Sequence, residues 1–203
     1  MEPYEVKFEI AGYAAMFTRP DSGAAQVSYP APTFSATKGM FEAIVRWTSV
    51  CIRPTKVEIC APIKYHKYTT NYGGPLRKGN QMAKGSSYQI PATILIDVCY
   101  RIYGVVEEIT QAPQDNNHLH ALQDVFYRRL KRGRFYYMPC LGWKEFVPFY
   151  VGELREGTKK QADINITIPS MLHSVFDKIS DGQIAPSFTV DAAIKEGELI
   201  YAK

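Results

Sequence analysis

Apolar and polar residues alternate from Val6 through Phe8 and Ile10 to Ala14 and Met16, the period of a strand with one face on a core, with Gly12 as a candidate bulge. After a Pro- and Gly-bearing loop from Thr18 to Pro32 the period changes. Met40, Phe41, Ile44 and Val45 fall three and four apart, which predicts a helix capped at its start by Ser35. Gly39 inside that helix lowers its propensity and implies close approach of another backbone or a ligand. A second strand is predicted from about Thr55 to Ile63. A long third one runs from Ile90 to Val106, with Ile94, Ile96, Val98, Tyr100 and Ile102 on one face. Leu119, Leu122, Phe126 and Leu130 then form a helical stripe over Asn117 to Arg132 that stops at Gly133, a C-terminal cap.

A further strand near Phe135 or Glu145 would complete a split strand-helix-strand repeat with both helices on one face of an antiparallel sheet. The predicted class is α+β: a ferredoxin-like or RNA-recognition-like domain over residues 1–135, then a small antiparallel β extension over residues 136–203. In the extension Ile164, Ile166 and Ile168 alternate, and "SFTVDAAIKEGELIYAK" reads as a hairpin turning at Glu196 and Gly197.

With 203 residues, 46% hydrophobic and 22% charged, the chain can build a real core, and disorder and coiled-coil architectures are excluded. No cationic segment followed by an apolar run opens the sequence and no run approaches membrane-spanning length, so a cytosolic protein without membrane contact is expected. Cys51, Cys60, Cys99 and Cys140 are too widely spaced for a paired zinc knuckle and read as buried thiols. No metal or cofactor is predicted, since glycine-rich phosphate motifs and paired carboxylates are both absent.

The net charge of +4 is unevenly spread. Between Ile59 and Ile96 no acidic residue occurs, while Lys64, Lys67, Arg77, Lys78 and Lys84 are interleaved with Tyr65, Tyr68, Tyr72 and Tyr88 and with glycines. Cations neutralise phosphates and aromatic rings stack on bases, so 64–89 has the composition of a protruding RNA-binding loop, or else of a plain solvated one. A second cluster, "YRRLKRGRFYY", holds Arg128, Arg129, Lys131, Arg132 and Arg134 at the end of the second helix. The helix dipole favours some cations there, but five exceed what capping asks for. His118 and His120 stand two apart and so on different faces of that helix. Either is a candidate base or a plain surface histidine, and His66 beside Lys67 is another candidate pair. His173 in "SMLHSVF" reads as packing.

"FTRPDSGAAQVSYPAPTFSATKGMFEAI", Phe17 to Ile44, and "PCLGWKEF", Pro139 to Phe146, resemble two signature blocks of the CRISPR-associated Cas five family, d-type, a RAMP subunit of subtype I-C Cascade. The resemblance implies a RAMP domain that grips the repeat-derived 5′ handle of crRNA, with the backbone RAMP subunit and the large subunit as partners and target DNA met indirectly. It implies a phosphate cradle at the start of the first helix from Ser28, Tyr29, Ser35, Lys38 and Gly39, with Arg19 as a further RNA contact. Further RNA contacts would come from Lys64, His66, Lys67, Arg77, Lys78, Lys84, Arg128 and Arg132. The family also cleaves pre-crRNA without metal, through a Tyr late in the first helix and a Lys-His pair near the second. Here the Tyr position falls on Val45. The pair falls on Ala121 and Leu122, or with a two-residue insertion near His118 or His120, so His120, His118 and Lys67 are the expected catalytic residues. The alternative is a handle-binding subunit that does not cut.

Overall fold

The computed structural model describes residues 4–72, 77–109, 117–175, 179–180 and 183–201. In chain order the elements are β1 (Glu5–Ala15), β2 (Gln26–Val27), α1 (Phe34–Ile44), β3 (Val50–Ile59), β4 (Tyr65–Tyr72), α2 (Gly79–Ala83) and β5 (Tyr88–Glu108). After them come α3 (His118–Arg132), β6 (Tyr150–Gly152), β7 (Ile166–Ser174), β8 (Ile179–Ser180), β9 (Gln183–Ile184), β10 (Ser187–Lys195) and β11 (Glu198–Ile200). One nine-stranded sheet runs in the order β6-β1-β5-β3-β11-β10-β7, with β2 and β4 also paired to β5. Its pairings are antiparallel apart from the short β2–β5 contact. The fold is mixed α and β.

The even positions of β1 give the reason for the helical layer. Val6, Phe8 and Ile10 are fully buried, and the Phe8 ring meets Phe41 of α1 at 5.2 Å and Phe126 of α3 at 6.2 Å, while Phe41 and Phe126 lie 5.9 Å apart. This aromatic triangle fastens both helices to one face of the sheet, and edge-on rings at such distances add to simple burial. Gly104 on β5 makes room for it: a Cβ there would stand 2.9 Å from Phe41 and 2.8 Å from Ile52.

Several expectations are corrected. Thr33, not Ser35, caps α1: its backbone is extended and its hydroxyl accepts from Ala36 N at 3.2 Å, whereas exposed Ser35 already lies in the first turn. Gly12 is no bulge, because the β1–β5 register passes through it unbroken. It is a close approach, where a Cβ would lie 2.3 Å from Leu141. Gly39 shows the reverse, with open space where its Cβ would be. The second strand starts five residues earlier than expected, at Val50. The strand sought near Phe135 or Glu145 is β6, displaced to Tyr150 because residues 139–146 fold as a turn that tucks Leu141 under β1.

Residues 65–72 are not a loop. They pair with β5 from Tyr65 opposite Leu95 to Tyr72 opposite Tyr88, forming an antiparallel ribbon that leads to the short α2. Residues 73–76 lie outside the described residues. The expected break near residue 135 is crossed by the sheet, since β6 pairs with β1 and β11 with β3. Helix α3 and its Gly133 cap, in the left-handed conformation, match the sequence reading. So does the turn at Glu196 and Gly197, where both φ angles are positive as a tight hairpin requires.

Candidate functional site

Helix α1 ends at Ile44, and the chain passes through Trp47 and Ser49 into β3. At the other end of the same junction Asn117 caps α3 by accepting from His120 N at 3.1 Å, which sets His118 as the first helical residue. The His118 ring is placed by two neighbours from the α1–β3 connection. Its Nδ1 is 3.3 Å from Ser49 Oγ, and the Trp47 ring stands edge-on at 6.4 Å. Because α3 turns 100° per residue, positions 118, 125, 129 and 132 share one side of it.

That side opens on a cleft of about 540 Å³ lined by Trp47, Val125, Arg128, Arg129, Arg132, Arg134 and Phe135. Arg129 Nη1 donates to Ile44 O at 3.1 Å and so ties the end of α1 to α3. Among the described residues none of the four arginines forms an ion pair with a carboxylate. Four uncompensated cations around one concavity create a strongly positive field, the arrangement that attracts phosphates.

His120 does not belong to this group. It is exposed on another side of α3 and pairs with Asp124 at 3.3 Å. Lys67 is exposed on β4 opposite Thr93, so the stretch of β5 from Thr93 to Glu108, roughly 50 Å of extended chain, lies between it and the His118 end. The expected trio of His118, His120 and Lys67 is therefore not one constellation.

The cradle expected at the start of α1 is closed. Ser28 is buried, accepts from Phe17 N at 3.0 Å and donates to Tyr29 O at 2.8 Å. Tyr29 is buried too, and its hydroxyl donates to Ser170 O and accepts from Leu172 N, both at 3.1 Å. Tyr201 covers the helix mouth, 2.7 Å from Thr37 Oγ1 and donating to Pro32 O at 2.9 Å, while His173 stacks on Phe34 at 4.0 Å. The polar chemistry of "SYPAPTFSATKG" thus serves the chain's own packing. Of the remaining members of that set, Lys38 and Gly39 are half-buried, and Arg19, the further RNA contact expected nearby, is held by both oxygens of Asp21.

The β4–β5 ribbon keeps its cationic face. Lys64, His66, Lys67, Lys78 and Lys84 are exposed, with Lys64 lying 3.8 Å from Asp97, and Arg77 donates to Ser86 O at 3.0 Å. Among the described residues no group of three or more His, Cys, Asp or Glu side chains gathers as a metal site. The four thiols are half-buried rather than buried. No described helix is long and apolar enough to cross a membrane.

The sequence model of the CRISPR-associated protein family Cas5, d-type, matches residues 5–195. This chain belongs to the Cas5d family. A CRISPR pre-crRNA endoribonuclease Cas5d of Mannheimia succiniciproducens is 24% identical over 190 residues, 84% of each chain. Another protein of that name, from Thermus thermophilus, is 26% identical over 156 residues, 75% of this chain and 67% of that one. The crystal structure of a CRISPR-associated protein shares the fold at a TM-score of 0.70 and 20% identity, over 98% of this chain and 92% of that one.

In this Cas5d-family chain Val45, where the resemblance places a Tyr, is the buried C-terminal cap of α1. Trp47, two residues on, is the aromatic group that reaches His118. Sequence reasoning passed over it because a lone aromatic after a helix has no period. Its only signal was that it is one of two tryptophans, preceded by an arginine.

Proposed function

We propose that this protein binds the repeat-derived 5′ handle of crRNA and cleaves its precursor by a metal-independent endoribonuclease reaction. The observation that carries this is the contact of the His118 ring with Trp47, which lines an arginine-rich cleft, in a chain of the Cas5d family. In the tautomer that donates from Nδ1 to Ser49 Oγ, 3.3 Å away, Nε2 is the basic nitrogen. Nε2 takes the proton of a ribose 2′-hydroxyl, whose oxygen attacks the adjacent phosphorus. The P–O5′ bond breaks, the leaving oxygen takes a proton from water, and the products are a 2′,3′-cyclic phosphate and a 5′-hydroxyl end. The arginines stabilise the charge that gathers on the phosphoryl oxygens. A positioned base of this kind contributes ~10²–10⁴-fold.

In this reading β1, α1, β3, β5, α3 and β6 form a ferredoxin-like RAMP domain, the β4–β5 ribbon grips RNA away from the cut, and residues after 152 extend the sheet. The backbone RAMP subunit and the large subunit are the protein partners, and target DNA is met through them in the cytoplasm. The test is cleavage of labelled repeat RNA in EDTA. Wild type and His120→Ala should cut, and His118→Ala should cut ~10²-fold or more slower while still shifting the RNA on a gel. Binding without cleavage by the wild type would leave a handle-binding subunit that does not cut, the reading that Val45 in the Tyr position favours. Cleavage by His118→Ala at the wild-type rate would overturn the role given to that imidazole.

A further inference from the structure

We propose that the cleft beside α3 seats one unpaired ribonucleotide, its base stacked on Trp47 and its phosphates held by Arg128, Arg129, Arg132 and Arg134, which makes Trp47 a positioning residue for the reaction at His118. The inference rests on the reading above and narrows it, from RNA in general to a nucleotide that has left its helix.

Charge alone would accept any phosphate chain, paired or not. The aromatic lining asks for more. Trp47 and Phe135 pack against the core on one side and remain half-buried, so each presents part of a ring to the cleft among the guanidinium groups. A base inside a duplex has its faces covered by its neighbours, whereas an unpaired base offers a free face to a ring or a guanidinium plane. The volume of about 540 Å³ lies within the ~300–1,000 Å³ typical of small-ligand pockets, room for a nucleotide and not for a helix.

The packing of α3 points the same way. Arg128 and Arg132 are an i,i+4 pair of like charge, an arrangement that weakens a helix, and neither forms an ion pair with a described carboxylate, Asp124 lying against His120 instead. The dipole at the helix end offsets only part of that cost. An anion in the cleft would relieve the rest. Trp47 links the two halves of the site, since the same ring lines the cleft and stands edge-on to the His118 imidazole at 6.4 Å. A base laid on the indole would hold its own ribose near the group that must deprotonate the 2′-hydroxyl. Positioning of this kind is steep, because an error of about 1 Å can cost ~10²-fold in rate.

The protein has two tryptophans, Trp47 and Trp143. A Trp143→Phe variant of the full chain therefore reports on Trp47 alone. It should be titrated with single-stranded repeat RNA, with a fully paired blunt duplex of the same sequence and with inorganic pyrophosphate, while RNA binding is followed independently by gel shift. Single-stranded RNA should change the Trp47 emission saturably at the concentrations that shift the gel, and the duplex and pyrophosphate should not. Adding Arg128→Ala and Arg132→Ala, both exposed positions, should remove the change without lowering the melting temperature. In single-turnover cleavage of repeat RNA, Trp47→Ala should lose ~10²-fold in rate and Trp47→Phe should recover most of it. RNA that shifts on the gel without altering Trp47 emission overturns the seat and leaves the RNA-binding function standing. RNA that fails to shift at low salt overturns both. A Trp47→Ala protein that cleaves as fast as wild type removes the positioning role, and if that variant does not fold, the emission titration and Trp47→Phe decide.

Discussion

Replacing Glu9 by Gln should destabilise this protein more than any other single isosteric change on β1. Glu9 is fully buried on the sheet face opposite the helices. Its carboxylate accepts from Arg155 Nε at 2.6 Å, Thr158 Oγ1 at 2.8 Å, Arg155 N at 3.1 Å and Arg101 Nε at 3.3 Å. These bonds pin residues 155–158 onto β1 and β5. Burial alone would raise its pKa, but the Arg155 and Thr158 hydrogen bonds and the Arg155 charge outweigh it and hold the carboxyl below its ordinary value of 4.5. Glutamine keeps the shape, removes the charge and turns an NH₂ toward donors. Breaking a buried ion pair costs ~3–5 kcal/mol, and since Arg155 is 43% exposed and can be rehydrated, about 3 kcal/mol is expected here. For a chain of this length that is a fall of ~6–12 °C in melting temperature at pH 7. A depressed carboxyl stabilises the fold above its unfolded value and loses that contribution as pH falls through its folded value. The gap between wild type and Glu9→Gln, read by calorimetry, should therefore close below about pH 4.5. A gap under ~2 °C at pH 7, or one that stays constant into acid, would refute the reasoning.

Other expectations follow from the packing. Gly104→Ala drives a methyl against Phe41 and Ile52 and should cost ~1–3 kcal/mol in denaturant unfolding without changing the slope. Tyr201→Phe strips Thr37 and the Pro32 carbonyl of their partner and should cost ~1–3 kcal/mol by the same measurement. Cys99 of β5 lies beside Cys60, just past β3, and the neighbouring Cys60 thiol and Arg155 guanidinium hold its pKa below the ordinary thiol value against burial and the Glu9 charge. Burial pushes the Cys51 and Cys140 thiols up. Peptide mass spectrometry after brief alkylation at pH 8 should find Cys99 labelled first.

Long amphipathic periods were legible in the sequence and isolated residues were not. Helix α3 showed both its ends because Leu122, Phe126 and Leu130 repeat on one face between a side-chain cap and a glycine cap. The core of β5 showed for the same reason, at Ile94, Val98, Tyr100 and Ile102. Strand β4 stayed hidden because Tyr65, His66, Lys67 and Thr69 are polar or amphipathic on both faces, and only its ladder with β5 defines it. The helix-mouth hydroxyls misled because their partners, Ser170, Leu172 and Tyr201, arrive more than 140 residues later. The arginines stood out as a run at the end of α3, but Trp47 needed the end of α1 and one side of α3 brought together, and Glu9 needed the covering segment around Arg155. No local pattern announces Trp47 or Glu9.

The pairing of β11 with β3, and of Tyr201 with Thr37 across 164 positions, also bears on how the chain comes to be built. During synthesis the early sheet and its first helix leave the ribosome long before the residues that cover them. Contacts so distant along the chain close slowly and leave apolar and strand-edge surface open in the meantime. The helix mouth that looks sealed in the finished molecule is thus exposed through most of translation, and a nascent chain stalled before Tyr201 should be the form that chaperones hold.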